Sequence, residues 1–180
     1  MSILEIITEP NPLLHQTCSE VQSHEFGEEL SKKLSDMAET MYHSGGLGLA
    51  GPQVGDLRRI LVADLGYAES TGENRIAGNY GSKFIKMINP KILSREGSIS
   101  TKEGCLSIPE FNQVMERSEK ILVSYYNETG ENLEEEFSNY MAVILQHEIE
   151  HLDGVTLLSK VSSLKKNQYL KKVKNAKRNN

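Results

Sequence analysis

Gln146-His147-Glu148-Ile149-Glu150-His151-Leu152-Asp153-Gly154 (QHEIEHLDG) is the stretch on which the reading of this chain turns. Residues four apart on an α-helix lie on one face, so His147 and His151 can reach a single ion. Glu148, beside the first histidine, is placed to act as a general base on water held there. Upstream, Tyr140 and Ile144 continue the same face, giving an apolar stripe that runs into two histidines. A solvated helix with incidental histidines would not need that stripe. The pattern predicts a helix from about Ser138 to Asp153, with Ser138 or Asn139 as its cap and Gly154 as its stop.

Outward from this helix, the periodicities alternate between two kinds. Phe26, Leu30, Leu34, Met37 and Met41 recur at helical spacing, which predicts an amphipathic helix over about residues 25–43, ended by Gly45-Gly46. Arg59–Asp64, Phe84–Asn89, Gly97–Ser100 and Lys120–Tyr126 read as strands. Asn127-Glu128-Thr129-Gly130 reads as a hairpin turn into a partner strand at Asn132–Phe137. Residues 66–83, rich in Gly, Ser and Asn, read as an exposed loop, and Ser163–Lys177 as a last helix. The order predicts an α+β fold: mostly antiparallel strands around the histidine-bearing helix, with helices near both ends.

Length and composition fit a single unit spanning 1–180: the 180 residues are 38% hydrophobic and 25% charged. No apolar run is long enough for a membrane span, and Met1–Pro10 (MSILEIITEP) has no basic region followed by an apolar core. The expectation is a cytoplasmic protein, or an organellar one whose presequence has been removed. Two cysteines, Cys18 and Cys105, are too few for a disulfide scaffold. The net charge of −5 divides unevenly: residues 1–159 sum to −13, whereas 160–180 carry 8 Lys and Arg and no acid. A basic tail on an acidic body can touch something anionic, or can simply be solvated.

Two histidines do not complete a catalytic metal site, which usually has three protein ligands and one open position. A thermolysin-like third ligand would be a downstream acid, but none follows Asp153; a metzincin-like one would be a downstream histidine, but His151 is the last. Upstream, Glu103-Gly104-Cys105-Leu106-Ser107 supplies a thiol, a good ligand for zinc or ferrous iron. Taken alone, Cys105 reads equally well as a buried structural thiol. The Gly-rich run Gly46-Leu47-Gly48-Leu49-Ala50-Gly51-Pro52-Gln53-Val54-Gly55 is not a phosphate loop, since neither the dinucleotide spacing nor a Lys-Ser/Thr pair is present.

Together, the Gly-rich run at 46–55, EGCLS at 103–107 and QHEIEHLDG at 146–154 resemble, in order and spacing, the three signature motifs of peptide deformylases. The resemblance covers nearly the whole chain. It implies hydrolysis of the formyl group from N-formyl-methionyl nascent peptides, releasing formate. It implies Cys105, His147 and His151 as metal ligands, and Glu148 as general base and then acid. Gln53 and the backbone N–H of Leu106 would stabilise the developing oxyanion. Leu47, Tyr140, Val143 and Ile144 would line a methionine pocket, and the segment around Gly48 would pair with the substrate backbone. One divalent ion is implied, natively Fe(II), with Zn(II), Ni(II) or Co(II) as substitutes. Contact of the basic C-terminal segment with the ribosome, as in some members, is also implied; no membrane partner is.

The chain departs from the family pattern at three positions. Glu150 stands where the family usually has Asp, and the longer side chain is expected to shift contacts around the metal ligands. Gly51 replaces the usual Ala, which is expected to loosen the segment beside Gln53. Asn112 stands where many members have an Arg near the far end of the substrate, while Arg117 is retained. Three rivals stand beside the deformylase reading: a zincin-type peptidase, an inactive metal-binding relative on the ribosome, and a metal-free thiol hydrolase using Cys105. The missing downstream ligand opposes the first, the full set of catalytic residues opposes the second, and insensitivity to chelators would mark the third.

Overall fold

The computed structural model describes residues 2–64 and 84–176. Helix α1 (Glu28–His43) is followed by strands β1 (Gly48–Ala50), β2 (Ile60–Asp64), β3 (Phe84–Glu96), β4 (Ile99–Cys105), β5 (Ile108–Arg117), β6 (Lys120–Tyr126) and β7 (Asn132–Ser138), then by helices α2 (Asn139–Leu152) and α3 (Ser163–Ala176). Five strands form one sheet in the order β1-β2-β3-β6-β7, and β4-β5 form a second, all pairings being antiparallel. The fold is α+β, as the sequence predicts.

Strand β2 explains how the layers assemble. All five of its residues are buried, and successive side chains of a strand point to opposite faces. Leu61 and Ala63 join the cluster of α2, with Ile144, Leu145, Ile149 and Leu152. Ile60 and Val62 join the cluster of α1, with Leu34, Met37 and Met41. The sheet is therefore covered by α1 on one face and α2 on the other, which explains why β2 is apolar from Ile60 to Ala63. Among the described residues, no helix is long and apolar enough to cross a membrane.

Several details differ from the sequence reading. β3 does not stop at Asn89 but continues through Pro90 to Glu96, because the pairing with β6 shifts register between Ile88 and Lys91. Asn89 takes φ 52° there and clamps Val21 through both its N–H and its carbonyl, at 2.8 and 2.9 Å. β4 begins beyond Gly97-Ser98, and β5 answers to no predicted strand. At the start of α2, Ser138 occupies the cap position without a side-chain cap bond; instead the Asn139 N–H donates to the Glu119 carbonyl at 2.7 Å. The stop at Gly154 holds, with φ 73° and its N–H bonded to His151 O. The predicted loop at 66–83 and Lys177 lie outside the described residues.

Candidate active site and metal centre

Cys105 ends β4 at a register shift where Gly104 pairs with Asn112 but Cys105 pairs with Ile108. That tight reversal through Leu106 and Ser107 brings the thiol to the histidine face of α2. Cys105 Sγ lies 3.2 Å from His151 Nε2. The sulfur and one nitrogen from each of His147 and His151 all lie within 4.8 Å of one another. A thiolate with two imidazoles suits zinc or ferrous iron, so the donor set fits a metal of that kind.

The far side of His147 is fixed. Its Nδ1 lies 2.9 Å from Glu103 Oε2, and donation from Nδ1 leaves Nε2 to face the cluster. Glu103 is in turn gripped by the Arg117 fork, Nε to Oε1 at 2.7 Å and Nη2 to Oε2 at 2.8 Å. The remaining Arg117 nitrogen, Nη1, reaches Glu150 Oε1 at 2.6 Å, an oxygen that Lys160 also contacts. The Glu150 side chain thus reaches from α2 to both cations.

Charge in this network follows from burial against partners. Burial would raise the Glu103 carboxyl, but Arg117 and His147 hold it down at about 2. Burial opposes the charge of Arg117, yet Glu103 and Glu150 move its pKa upward. For His147, burial is outweighed by the Cys105 sulfur and the Glu103 carboxylate, which raise it well above its ordinary value. Burial, reinforced by the His147 and Arg117 charges, pushes His151 well down. Burial lifts the Glu148 carboxyl to about 7, with His147 opposing and Glu103 adding to the rise.

Glu148 is 5% exposed, and its Oε2 is buried without a hydrogen-bond partner. Its place depends on Gly48: a Cβ there would lie 2.6 Å from Glu148 Cγ and 2.7 Å from Cδ. Gln53 sits on the short 3-10 turn Gly51–Val54 and is 1% exposed. Its Oε1 accepts from Ala50 N at 2.8 Å, while Nε2 lies 3.6 Å from Cys105 Sγ. Gly51 is buried in this turn, and a Cβ there would stand 2.6 Å from the Asp56 carbonyl, so the close approach of the chain at this point leaves no space for a side chain.

A cleft of about 600 Å3 opens onto these groups. Leu47, Gly48, Tyr140, Val143 and Ile144 all line it, together with Gln53, Cys105, Leu106, His147 and Glu148. Val143 and Ile144 are buried, whereas Tyr140 is 37% exposed. Asn112 lies on the same wall, whereas Arg117 is buried behind it at 4% exposure, engaged with carboxylates. His151 is buried at 1% exposure and approaches the cluster from within. A larger groove of about 1140 Å3, lined in part by Arg59, Lys91 and Arg95, contains none of the cluster residues. The chemistry therefore belongs to the smaller cleft. Sequence reasoning assigned no role to Glu103 or Ser107, although both lie within the quoted EGCLS run; only the tertiary structure reveals their partners.

The family model described as polypeptide deformylase matches residues 3–167. A peptide deformylase of Thermodesulfovibrio yellowstonii is 38% identical over 177 residues, 98% of this chain and 100% of that one. One from Desulfotalea psychrophila is 40% identical, covering 97% of this chain and 96% of its own. Among solved structures, the peptide deformylase of Ehrlichia chaffeensis superposes with a TM-score of 0.86 at 34% identity, over 99% of this chain and 98% of that one. That of Thermotoga maritima gives 0.78 at 37% identity, over 90% and 99%. With three motifs in one cleft and full-length relatives on both counts, this chain belongs to the polypeptide deformylase family.

Proposed function

We propose that the whole chain acts as one catalytic unit that hydrolyses N-formyl-methionyl peptides to formate and a free amino terminus. The observation that supports this most is the meeting of Cys105, His147 and His151 beside the buried, unpartnered carboxylate of Glu148. In this reading those three side chains hold one divalent ion, natively Fe(II), with Zn(II), Ni(II) or Co(II) able to substitute. Such an ion supplies Lewis acidity, which polarises a carbonyl and acidifies water.

The remaining roles fall to the chain's own groups. Glu148 takes the proton from the attacking water and returns it to the leaving amine. The Gln53 amide and the Leu106 N–H donate to the oxygen on which charge develops. Leu47, Tyr140, Val143 and Ile144 receive the methionine side chain. Gly48 lies on β1, an edge strand whose described pairing is with β2 alone; the reading sets an extended peptide backbone against its other edge, beside Gly48. The reading places the protein in the cytoplasm, with the lysines of α3 available for contact with the ribosome.

The test is formate release from formyl-Met-Ala-Ser by anaerobically prepared, Fe(II)-loaded protein, beside Glu148→Ala. The reading predicts release by the parent and near-loss in the variant with metal still bound. No release from fully metallated parent protein would move the weight to an inactive relative acting on the ribosome.

A further inference from the structure

Gln53 can serve as a donor only if its amide is held with the NH2 group toward the reacting oxygen. A glutamine side chain has three rotatable bonds, and donors of this kind work by being fixed before charge develops. The carbonyl end is fixed by the Ala50 N–H at 2.8 Å. A flipped amide would set two donors against each other there, so Oε1 must face Ala50.

The other end is fixed by Ser107, which no motif reading singled out. Gln53 Nε2 donates to Ser107 Oγ at 3.2 Å, and the two residues are 1% and 0% exposed. One amide proton is thereby engaged, and the same nitrogen has its second proton for the side where Cys105 Sγ lies at 3.6 Å. Ser107 itself is held in place. Its carbonyl accepts from the Glu9 N–H at 2.9 Å, and the Gln53 carbonyl accepts from the Ile7 N–H at 2.8 Å. One short N-terminal stretch therefore ties both residues through donors two positions apart. The Glu9 carboxylate, 2% exposed, is bonded in turn to the Thr156 hydroxyl at 3.0 Å and to His15 at 3.2 Å.

We infer that Ser107 is a positioning residue for the reaction: its hydroxyl orients the Gln53 amide so that one N–H is presented to the formyl oxygen as charge builds on it. The inference rests on the donor role given to Gln53 above. Ser107 touches neither substrate nor metal in this account. Losing its hydroxyl leaves a buried Gln53 N–H unpaired and free to seek another partner.

Because the donor acts mainly as charge develops, Ser107→Ala should lower kcat about tenfold with KM little changed, the effect of a single buried hydrogen bond. In a Gln53→Ala background, the same substitution should change kcat by less than about twofold, since its target is gone. Ser107→Cys, of similar volume with a weaker acceptor, should fall between the parent and Ser107→Ala, and it serves in its place if Ser107→Ala does not fold. Independently of activity, 15N NMR of zinc-loaded protein should show the Gln53 side-chain amide protons, identified by their loss in Gln53→Ala, well separated in the parent and merging or exchanging faster in Ser107→Ala.

An equal loss of kcat on removing Ser107 Oγ in both backgrounds would mark a merely structural role and overturn the inference, as would unchanged Gln53 amide signals. Impairment by Gln53→Ala alone, with Ser107→Ala and Ser107→Cys at parental kcat, would overturn the inference and leave the donor role intact. Parental kcat in Gln53→Ala would overturn the donor role together with the inference.

Discussion

Gly48→Ala perturbs the catalytic carboxylate without touching it chemically. The added Cβ would lie 2.6 Å from Glu148 Cγ and 2.7 Å from Cδ, and would meet Oε1 closer still. Carbon atoms pack at about 3.5–4.0 Å, so the Glu148 arm must retreat by about 1 Å. It has little room to do so, being 5% exposed on a helix packed against the sheet. A displacement of that size in a group that must meet a proton in line costs about 100-fold in rate. Overpacking at such a site costs about 1–3 kcal/mol of stability. For a chain of this length that is roughly 2–12 °C in Tm. The assay is kcat for formate release from formyl-Met-Ala-Ser, with metal content and Tm measured on the same samples. Metal should stay bound, because the three atoms nearest the new Cβ all belong to Glu148 and none to Cys105, His147 or His151. A kcat within about threefold of the parent, with full metal occupancy, would refute the steric argument and the placement of Glu148.

Two other substitutions test the surroundings. Arg117→Met removes the cation shared by the buried Glu103 and the half-buried Glu150, and leaves Glu103 without its strongest partner; unfolding experiments should show a loss of about 3–5 kcal/mol, and competition with a chelator should show metal affinity reduced about 10–100-fold, since Glu103 orients His147. Asp36 is held at about 2 by Lys32 and by the Ser2 N–H, at 2.6 and 2.8 Å. Its folded pKa is depressed, so its stabilising effect is present above the unfolded carboxyl value and fades as pH falls through the folded one. The stability gap between parent and Asp36→Asn, measured by urea unfolding, should be open at pH 6 and close as the pH falls from about 4 towards 2.

The parts of the fold that were legible in the sequence are those whose local signals agree with their tertiary setting. α2 showed itself because its histidine spacing and apolar stripe share one face, and because Gly154 ends it. The β6–β7 hairpin showed itself through an alternating apolar strand and the Asn127–Gly130 turn. β5 did not, because its inward positions from Phe111 to Arg117 alternate but include Gln113 and Arg117 while the apolar Val114 is exposed, and Pro109, Glu110 and Asn112 interrupt any apolar run. β3 was cut short because Asn89-Pro90 reads as a break, whereas the sheet absorbs it as a shift in register.

The same distinction holds for the site. The three clustered donors, Glu148, Gln53 and Leu106 stand in motifs, and Tyr140, Val143 and Ile144 on the helix that carries the histidines; the structure gathers the donors into one cluster and sets the others along one cleft beside it. The partners that fix them arrive from elsewhere in the chain. Arg117 comes from β5 to Glu103, Lys160 from beyond α2 to Glu150, and Glu9 from the N-terminal stretch to Ser107. None of these pairs has a characteristic spacing, since each depends on how the layers meet. The closeness of Gly51 to the Asp56 carbonyl was hidden for the same reason.

X-ray absorption at the metal edge of the zinc-loaded protein tests the central claim, that a strand-end thiol and two histidines of one helix share a single ion. The account predicts one ion per chain with one sulfur at about 2.3 Å and two imidazole nitrogens at about 2.0–2.1 Å, the sulfur lost in Cys105→Ser. A shell without sulfur, or a sulfur signal that survives Cys105→Ser, would contradict it.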